Sequence, residues 1–174
     1  METSPQPEPV NALNADEEAF LRAFGRAMTV VPRVFDAELQ RAQGIAASEY
    51  MALMHLSEAP ERRLRMSELA FACALSLSGM TRIVSRLEVD GLVTRERSAS
   101  DGRGWNAVLT DEGLARLELA WPTHLTSVRR HVIDHLDEVD LPKLTAALQR
   151  FGTGTPCGDA IDACAEGLPL PTED

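Results

Sequence analysis

The chain has 174 residues, 44% of them hydrophobic and only 5% aromatic, so we expect one domain with a core of Leu, Val, Ala and Met. No apolar stretch approaches the roughly 18 residues of a membrane span, and the opening METSPQPEPV lacks the basic and apolar regions of a secretory signal. The net charge of −10 taken alone argues against nucleic-acid binding.

The charges are unevenly distributed along the chain. Between Glu61 and Arg103, eight arginines oppose six acids, so this segment carries +2 and the rest of the chain −12. Sixteen arginines against one lysine also fit a codon bias, which makes arginine richness weak support. The local positive charge nevertheless leaves nucleic acid open as a partner.

Hydrophobic periodicity predicts six helices and one two-stranded hairpin. The helices cover 16–43, 48–59, 66–73, 77–89, 111–136 and 141–151, and the strands cover 92–97 and 105–109. Asn14 or Asp16 caps the first helix, and Pro32 kinks or breaks it. Thr110 caps the fifth helix, which Pro122 bends. The sequence therefore predicts a mainly α protein with a small β-hairpin.

The fourth helix separates apolar from polar residues. Its apolar face consists of Leu77, Met80, Ile83, Val84 and Leu87. Its other face consists of Ser78, Arg82, Ser85 and Arg86, with Thr81 on the flank and Ser76 as the N-cap. Short hydroxyls and arginines suit a helix that enters a groove, because a guanidinium can fork onto a guanine edge or onto phosphates. With a short helix and a tight turn before it, this is a helix-turn-helix pattern.

The hairpin loop places Arg103 between two glycines, with Asp101 two residues earlier. A thin, positively charged loop beside a recognition helix is suited to the narrow minor groove, and Asp101 is positioned to pair with a neighbouring arginine. The alternative is an ordinary hairpin tip in which glycine supplies unusual dihedral angles. The adjacent helix pair favours the first interpretation.

Two stretches, RMSELAFACALSLSGMTRIVSRLEVDGLV and RERSASDGRGWNAVLTDEG, resemble the MarR family of winged helix-turn-helix regulators. The resemblance extends over about 16–151. It implies six helices, a β-hairpin wing and a homodimer whose base is formed by the first, fifth and sixth helices. The predicted DNA-binding residues are Ser76, Ser78, Thr81, Arg82, Ser85, Arg86, Arg103 and Arg65, with Asp101 supporting the wing. Arg65 stands where many members have a Ser or Thr cap, which weakens the cap by about 1 kcal/mol but adds a phosphate contact.

The expected organisation is a lead-in at 1–13, a winged helix-turn-helix domain at 14–151 and an acidic tail at 152–174. Within the domain, the helix-turn-helix covers about 66–89 and the wing about 92–109. The resemblance implies a cytoplasmic, ligand-responsive repressor that binds a palindromic operator in double-stranded DNA as a homodimer. A small aromatic or phenolic effector would bind near Arg26, Met54 and His55, and neither a cofactor nor membrane association is expected.

Other readings of the sequence remain open. The same fold can serve as a protein-interaction module, which the acidic total charge favours slightly. A metal sensor would use His124, His131 and His135, which fall within about 40° of one another if the fifth helix is unbroken. A redox sensor would use Cys73, although a packed, half-buried residue is the stronger interpretation. Cys157 and Cys164 lie in the tail, and the three cysteines favour a reducing compartment. No nucleophile elbow or phosphate-binding motif indicates an enzyme.

Overall fold

The computed structural model describes residues 11–97 and 104–153, which form six α-helices, three β-strands and two short 3-10 helices. The helices are α1 (Ala15–Gln43), α2 (Ala47–Glu58), α3 (Met66–Ala72), α4 (Leu77–Val89), α5 (Asp111–His131) and α6 (Leu141–Leu148). The strands are β1 (Arg63–Arg65), β2 (Val93–Arg97) and β3 (Trp105–Leu109). The 3-10 helices are Pro60–Arg62 and Ile133–His135.

The long helix α1 begins and ends with side-chain and backbone caps. The Asn14 carboxamide oxygen accepts from the backbone N–H groups of Asp16 and Glu17, and the Glu17 carboxylate accepts from the backbone N–H of Asn14 in return. Gly44 closes the helix in the left-handed region, at φ 66°. The helix runs through Pro32 without interruption, so the predicted break is absent.

The sheet has three strands where the sequence predicted two. Its order is β1-β3-β2 with both pairings antiparallel, and Leu64 of β1 stands opposite Ala107 of β3. The sequence analysis assigned no strand to 63–65, because three residues are too short to display an alternating pattern. Strand β1 pairs with the edge of β3 that β2 leaves open. This pairing joins the connection between α2 and α3 to the hairpin.

The core lies around α2, which packs against α1, α3, α4, α5 and β3. Its fully buried large side chains include Tyr50, Leu53, Leu56, Leu69, Met80, Val84, Leu87 and Val93. This composition matches the expected core of aliphatic and methionine side chains. Burial is concentrated in the α2–α4 and sheet region, whereas α6 contains no buried residue.

Helix α5 is shorter than predicted. Thr110 caps it as expected, since the Thr110 hydroxyl accepts from the backbone N–H of Gly113 at 3.0 Å. The helix ends at His131, and Val132 leaves helical geometry at φ −134°, so the prediction of a helix to Leu136 was wrong. The buried residues of α5 are Gly113, Leu117, Ala120 and Ser127, whereas Leu125 is exposed.

Apolar side chains are exposed on α1, α5 and α6 of the single chain. Among them are Phe20, Leu21, Met28, Leu119, Leu125, Leu141, Leu148 and Phe151. Phe24 of α1 meets Phe151 edge-on at 5.5 Å between ring centroids, which brings the end of the chain's last helical region to α1. Phe151 itself lies beyond α6, which ends at Leu148 and not at the predicted position 151. These three helices leave a broad apolar surface uncovered.

Candidate nucleic-acid interface

A tight, hydrogen-bonded turn joins α3 to α4. The backbone N–H of Ala74 donates to the Phe71 carbonyl and that of Leu75 donates to the Ala70 carbonyl, both at 2.8 Å. Ala74 adopts the left-handed region at φ 52°, an arrangement unfavourable for alanine. The Ser76 hydroxyl then accepts from the backbone N–H of Gly79 at 3.1 Å, as predicted for the N-cap of α4.

Helix α4 has the predicted bounds and presents most of its predicted polar face to solvent. Ser78, Thr81, Arg82 and Arg86 are exposed and Ser85 is half-buried. On the opposite face Met80, Ile83, Val84 and Leu87 are buried. Leu77 departs from the prediction: it is 54% exposed, because the first residue of α4 projects beyond the end of the core.

The hydroxyls on α4 are engaged within the helix. The Thr81 hydroxyl donates to the Leu77 carbonyl and the Ser85 hydroxyl donates to the Thr81 carbonyl, each at 2.8 Å. The Ser76 and Ser78 hydroxyl oxygens lie 3.1 Å apart. The hydroxyl protons of Thr81 and Ser85 are therefore already donated, and the charged donors on this face are the arginines.

The two arginines of the predicted reading face have different surroundings. Within the described part of the chain, the Arg82 side chain forms neither a hydrogen bond nor an ion pair. The Arg86 Nε donates to the Glu49 carboxylate of α2 at 2.7 Å, and the Glu49 side chain is only 16% exposed. Arg82 is thus available to a partner, whereas Arg86 ties α4 to α2.

Arg95 of β2 braces α4 against the sheet, a role that the sequence analysis missed. One terminal nitrogen of Arg95 donates to the Thr81 carbonyl at 3.0 Å and to the Ser85 hydroxyl at 2.6 Å. Its Nε lies 3.3 Å from the Glu88 carboxylate. The alternation of β2 carried the signal, because Arg95 is two residues from the buried Val93 and so points to the same side.

The start of α5 is fitted tightly to the turn before β2. The Thr110 hydroxyl donates to the Gly91 carbonyl at 2.8 Å, and the Thr110 backbone N–H donates to the Leu92 carbonyl at 3.1 Å. A Cβ on Gly113 would lie 2.1 Å from the same Leu92 oxygen, so a larger residue fits there only if the backbone around Leu92 moves. This junction explains physically why glycine follows three residues after the Thr110 cap.

The base of the hairpin is ordered by an aromatic contact. The Arg97 guanidinium lies 5.5 Å from the centroid of the Trp105 ring, within range of a cation–π interaction. The predicted wing arginine, Arg103, and its supporting Asp101 lie outside the described residues. Their assigned roles stay predictions.

A cleft of about 580 Å³ lies between the beginnings of α3 and α4 and the sheet. Its lining includes Arg65, Leu77, Thr81, Arg95 and Trp105. Arg65 occupies the N-cap position of α3 as predicted and forms no side-chain cap, although its backbone N–H donates to the Glu68 carboxylate at 2.9 Å. The position of Arg65 beside α4 is compatible with its predicted phosphate contact.

The predicted effector residues lie on two helices. Arg26 is exposed on α1, whereas Met54 and His55 are half-buried on α2. Burial lowers the pKa of His55, an effect that Glu58 and the Ala72 backbone partly oppose. His55 is therefore a neutral ring packed inside the fold, while Arg26 faces solvent in the single chain.

The three histidines of the metal hypothesis do not share a helical face, because α5 ends at His131 and His135 belongs to a 3-10 helix. The His131 Nε2 lies 3.1 Å from the Glu38 carboxylate, whose pKa the Ser127 hydroxyl and His131 lower. Among residues 11–97 and 104–153, no group of three or more His, Cys, Asp or Glu side chains is arranged to hold a metal ion.

His124 instead packs among aromatic rings of α1, α2 and α5. Its ring centroid is 4.6 Å from that of Tyr50 and 5.5 Å from that of Phe35. Burial lowers the pKa of His124 and raises that of Tyr50 to about 12. Both side chains are therefore neutral near pH 7. Sequence reasoning missed this cluster, because its members come from three separate helices.

Cys73 is half-buried against the core, as the preferred interpretation held. Burial raises the pKa of the Cys73 thiol to about 11, which disfavours the reactive thiolate. The other two cysteines, Cys157 and Cys164, lie outside the described residues.

A helix pair joined by a tight turn, with its second helix exposed and braced by a three-stranded antiparallel sheet, defines the winged helix-turn-helix class. No helix in the described ranges is both long and apolar enough to cross a membrane.

Comparison with known proteins gives the family. The MarR family model matches residues 43–104. The structure of AbsC, a MarR family transcriptional regulator from Streptomyces coelicolor, is 37% identical, with 80% of this chain and 93% of that chain covered and a TM-score of 0.72. Sco3205, a MarR family transcriptional regulator from the same organism solved in complex with DNA, is 35% identical, with 94% of each chain covered and a TM-score of 0.71. The chain belongs to the MarR family.

A curated relative is similar over a shorter region. The transcriptional repressor YetL of Bacillus subtilis (strain 168) is 31% identical over 96 residues, which cover 55% of this chain and 58% of YetL. The match therefore spans little more than half of that relative.

Proposed function

We propose that this protein is a ligand-responsive transcriptional repressor that binds a palindromic operator as a homodimer in the cytoplasm. The observation that carries the proposal is the exposed face of α4, on which Arg82 is unpaired while Arg95 fixes the helix against the wing. AbsC and Sco3205, at 37% and 35% identity, are both MarR family transcriptional regulators, and Sco3205 was solved in complex with DNA. Neither an enzymatic activity nor a cofactor is part of the proposal.

DNA recognition follows from the division of roles on α4. The Arg82 guanidinium can donate two hydrogen bonds to the O6 and N7 atoms of a guanine in the major groove. Arg86, held by Glu49, fixes the angle of the helix. The net positive charge of 61–103 offsets the acidic remainder where the duplex would lie. In this proposal Arg103 of the wing enters the adjacent minor groove.

Dimerisation is supported by the uncovered apolar surface of α1, α5 and α6. A second copy related by a twofold axis would bury these side chains. It would also place two α4 helices about 34 Å apart, one helical turn of B-form DNA.

The effector in this proposal is a small aromatic or phenolic compound. Met54 and the neutral His55 ring supply a half-buried surface on α2, and Arg26 would supply a positive charge for an acidic group. A ligand bound between the dimer helices and the winged region would change the spacing of the two α4 helices and so lower operator affinity.

The test begins with selection of duplexes from a random library by the full-length protein, followed by fluorescence anisotropy at two salt concentrations. Wild type should bind the selected duplex with an affinity that falls steeply with salt. Arg82→Ala should lose about 1–3 kcal/mol of binding free energy at one base pair in each half-site. Arg103→Ala should reduce the salt slope by about one.

The matched control is Arg33→Ala, which removes an exposed arginine of α1, remote in sequence from α4 and the sheet. It should bind as wild type does. Equal affinities of wild type and the Arg82 and Arg103 variants would contradict the site assignment. Failure to enrich any duplex would refute DNA binding and favour a protein-interaction module.

A further inference from the structure

The first turn of α4 carries an exposed aliphatic side chain. Leu77 is 54% exposed, whereas the other apolar residues of the same face, Met80, Ile83, Val84 and Leu87, are all buried. Core packing therefore does not explain a leucine at this position. Leu77 follows directly after the Ser76 cap, at the end of a recognition helix whose N-terminal residues contact base edges in helix-turn-helix proteins.

The neighbouring side chain one turn later adds a second apolar group. The Thr81 hydroxyl donates its proton to the Leu77 carbonyl, so the side chain of Thr81 retains only its methyl group and acceptor lone pairs for a partner. Leu77 and Thr81 line the same cleft beside the wing, together with Trp105. Leu77 and the Thr81 methyl group are thus apolar groups at the N-terminal end of α4, in a cleft that Arg65 and Arg95 also line.

The chemistry of the major groove restricts what Leu77 can contact favourably. Base edges there present hydrogen-bond donors and acceptors, and the 5-methyl group of thymine is the apolar exception. A leucine pressed against a polar edge would leave that edge dehydrated and unpaired, which is unfavourable. Only a thymine offers Leu77 an apolar surface to bury.

We propose that Leu77 is a specificity-determining residue that packs, with the Thr81 methyl group, against the 5-methyl group of one thymine in each operator half-site. This inference rests on the proposed DNA-binding function and adds a base preference to it. Arg82 and Leu77 then read different base pairs of the half-site, Arg82 by hydrogen bonding and Leu77 by apolar contact.

The experiment uses the selected duplex and replaces each thymine, one position at a time, by deoxyuridine, which lacks only the methyl group. For wild type, one position in each half-site should lose affinity by about fourfold, the value of one buried methyl group. Leu77→Ala should bind the parent duplex more weakly and should no longer distinguish thymine from deoxyuridine at that position. Because Leu77 is exposed, the variant should retain the wild-type thermal unfolding midpoint.

The matched control is Val89→Ala at the opposite end of the same helix, where the valine is 87% exposed. This variant should keep the full deoxyuridine sensitivity. A flat deoxyuridine series with wild type, or an unchanged sensitivity in Leu77→Ala, would overturn the inference while leaving DNA binding intact. Failure to select any duplex would instead overturn the proposed function and this inference with it.

Discussion

Replacing Gly113 by alanine tests whether the fitted junction between α5 and the sheet is required for stability. The new Cβ would lie 2.1 Å from the Leu92 carbonyl oxygen and 2.7 Å from a methyl carbon of Leu109. Relief of the overlap with the carbonyl needs a movement of about 1 Å. The Leu92 carbonyl also accepts from the Thr110 backbone N–H at 3.1 Å, so that movement would weaken this hydrogen bond.

Overpacking of this kind costs about 1–3 kcal/mol, and a weakened hydrogen bond adds about 1 kcal/mol. We therefore expect Gly113→Ala to lose about 3 kcal/mol of unfolding free energy, measured by urea denaturation at fixed protein concentration. With a urea slope of about 2 kcal/mol/M, the midpoint should fall by about 1.5 M.

Gly25→Ala is the matched control, because nothing lies within 4 Å of the added Cβ in the single chain. Alanine in this helical position should leave the midpoint unchanged or raise it, by up to about 1 kcal/mol. A Gly113→Ala midpoint within experimental error of wild type would refute the reasoning, since it would mean that Leu92 moves aside without cost.

Four further outcomes are expected. Ser76→Ala should lose about 1 kcal/mol of unfolding free energy in urea, because the N–H groups at the start of α4 lose their cap. Arg86→Ala should lower stability by about 0.5–1 kcal/mol in the same assay, since Glu49 loses its ion pair at a partly exposed site; unchanged stability would contradict the anchoring role. Burial lowers the pKa of His124 in the folded state. As the pH falls, the unfolded state therefore takes up a proton at a higher pH than the folded state does. Stability should then fall as pH decreases through the ordinary histidine pKa of 6.5, and His124→Gln should flatten this dependence in urea melts at several pH values. Cys73, whose pKa is raised to about 11, should react with iodoacetamide at pH 7.5 far more slowly than a free thiol, when followed by mass spectrometry with the other two cysteines replaced by serine.

Local signals were sufficient to predict the helix-turn-helix. The bounds of α4 agree with the prediction residue for residue, because a strong cap at Ser76 and a clear apolar period coincide there. Thr110 likewise caps α5 as predicted. Where a capping residue and the hydrophobic period agree, a single sequence defines the beginning of a helix.

The sequence analysis failed where structure depends on distant partners. Strand β1 exists because its backbone pairs with β3, more than 40 residues away, and three residues carry no period of their own. The contacts of Arg95 and Arg86 join different elements. The alternation of β2 shows on which side of the strand Arg95 lies, but not that its partners are Thr81 and Ser85. Leu77 was assigned to the buried face because its position around the helix axis matches that of the buried residues. That position does not show how far along the helix the core extends, and Leu77 is exposed.

The brace from Arg95 has a consequence for how this scaffold diverges. Its guanidinium holds α4 partly through the main-chain carbonyl at position 81, an atom that every amino acid provides. Substitution of the side chain at that position therefore leaves this contact in place. After gene duplication, the exposed side chains of α4 can therefore change and give new base preferences. The hydrogen bond from Arg95 to the main chain continues to hold the helix in position.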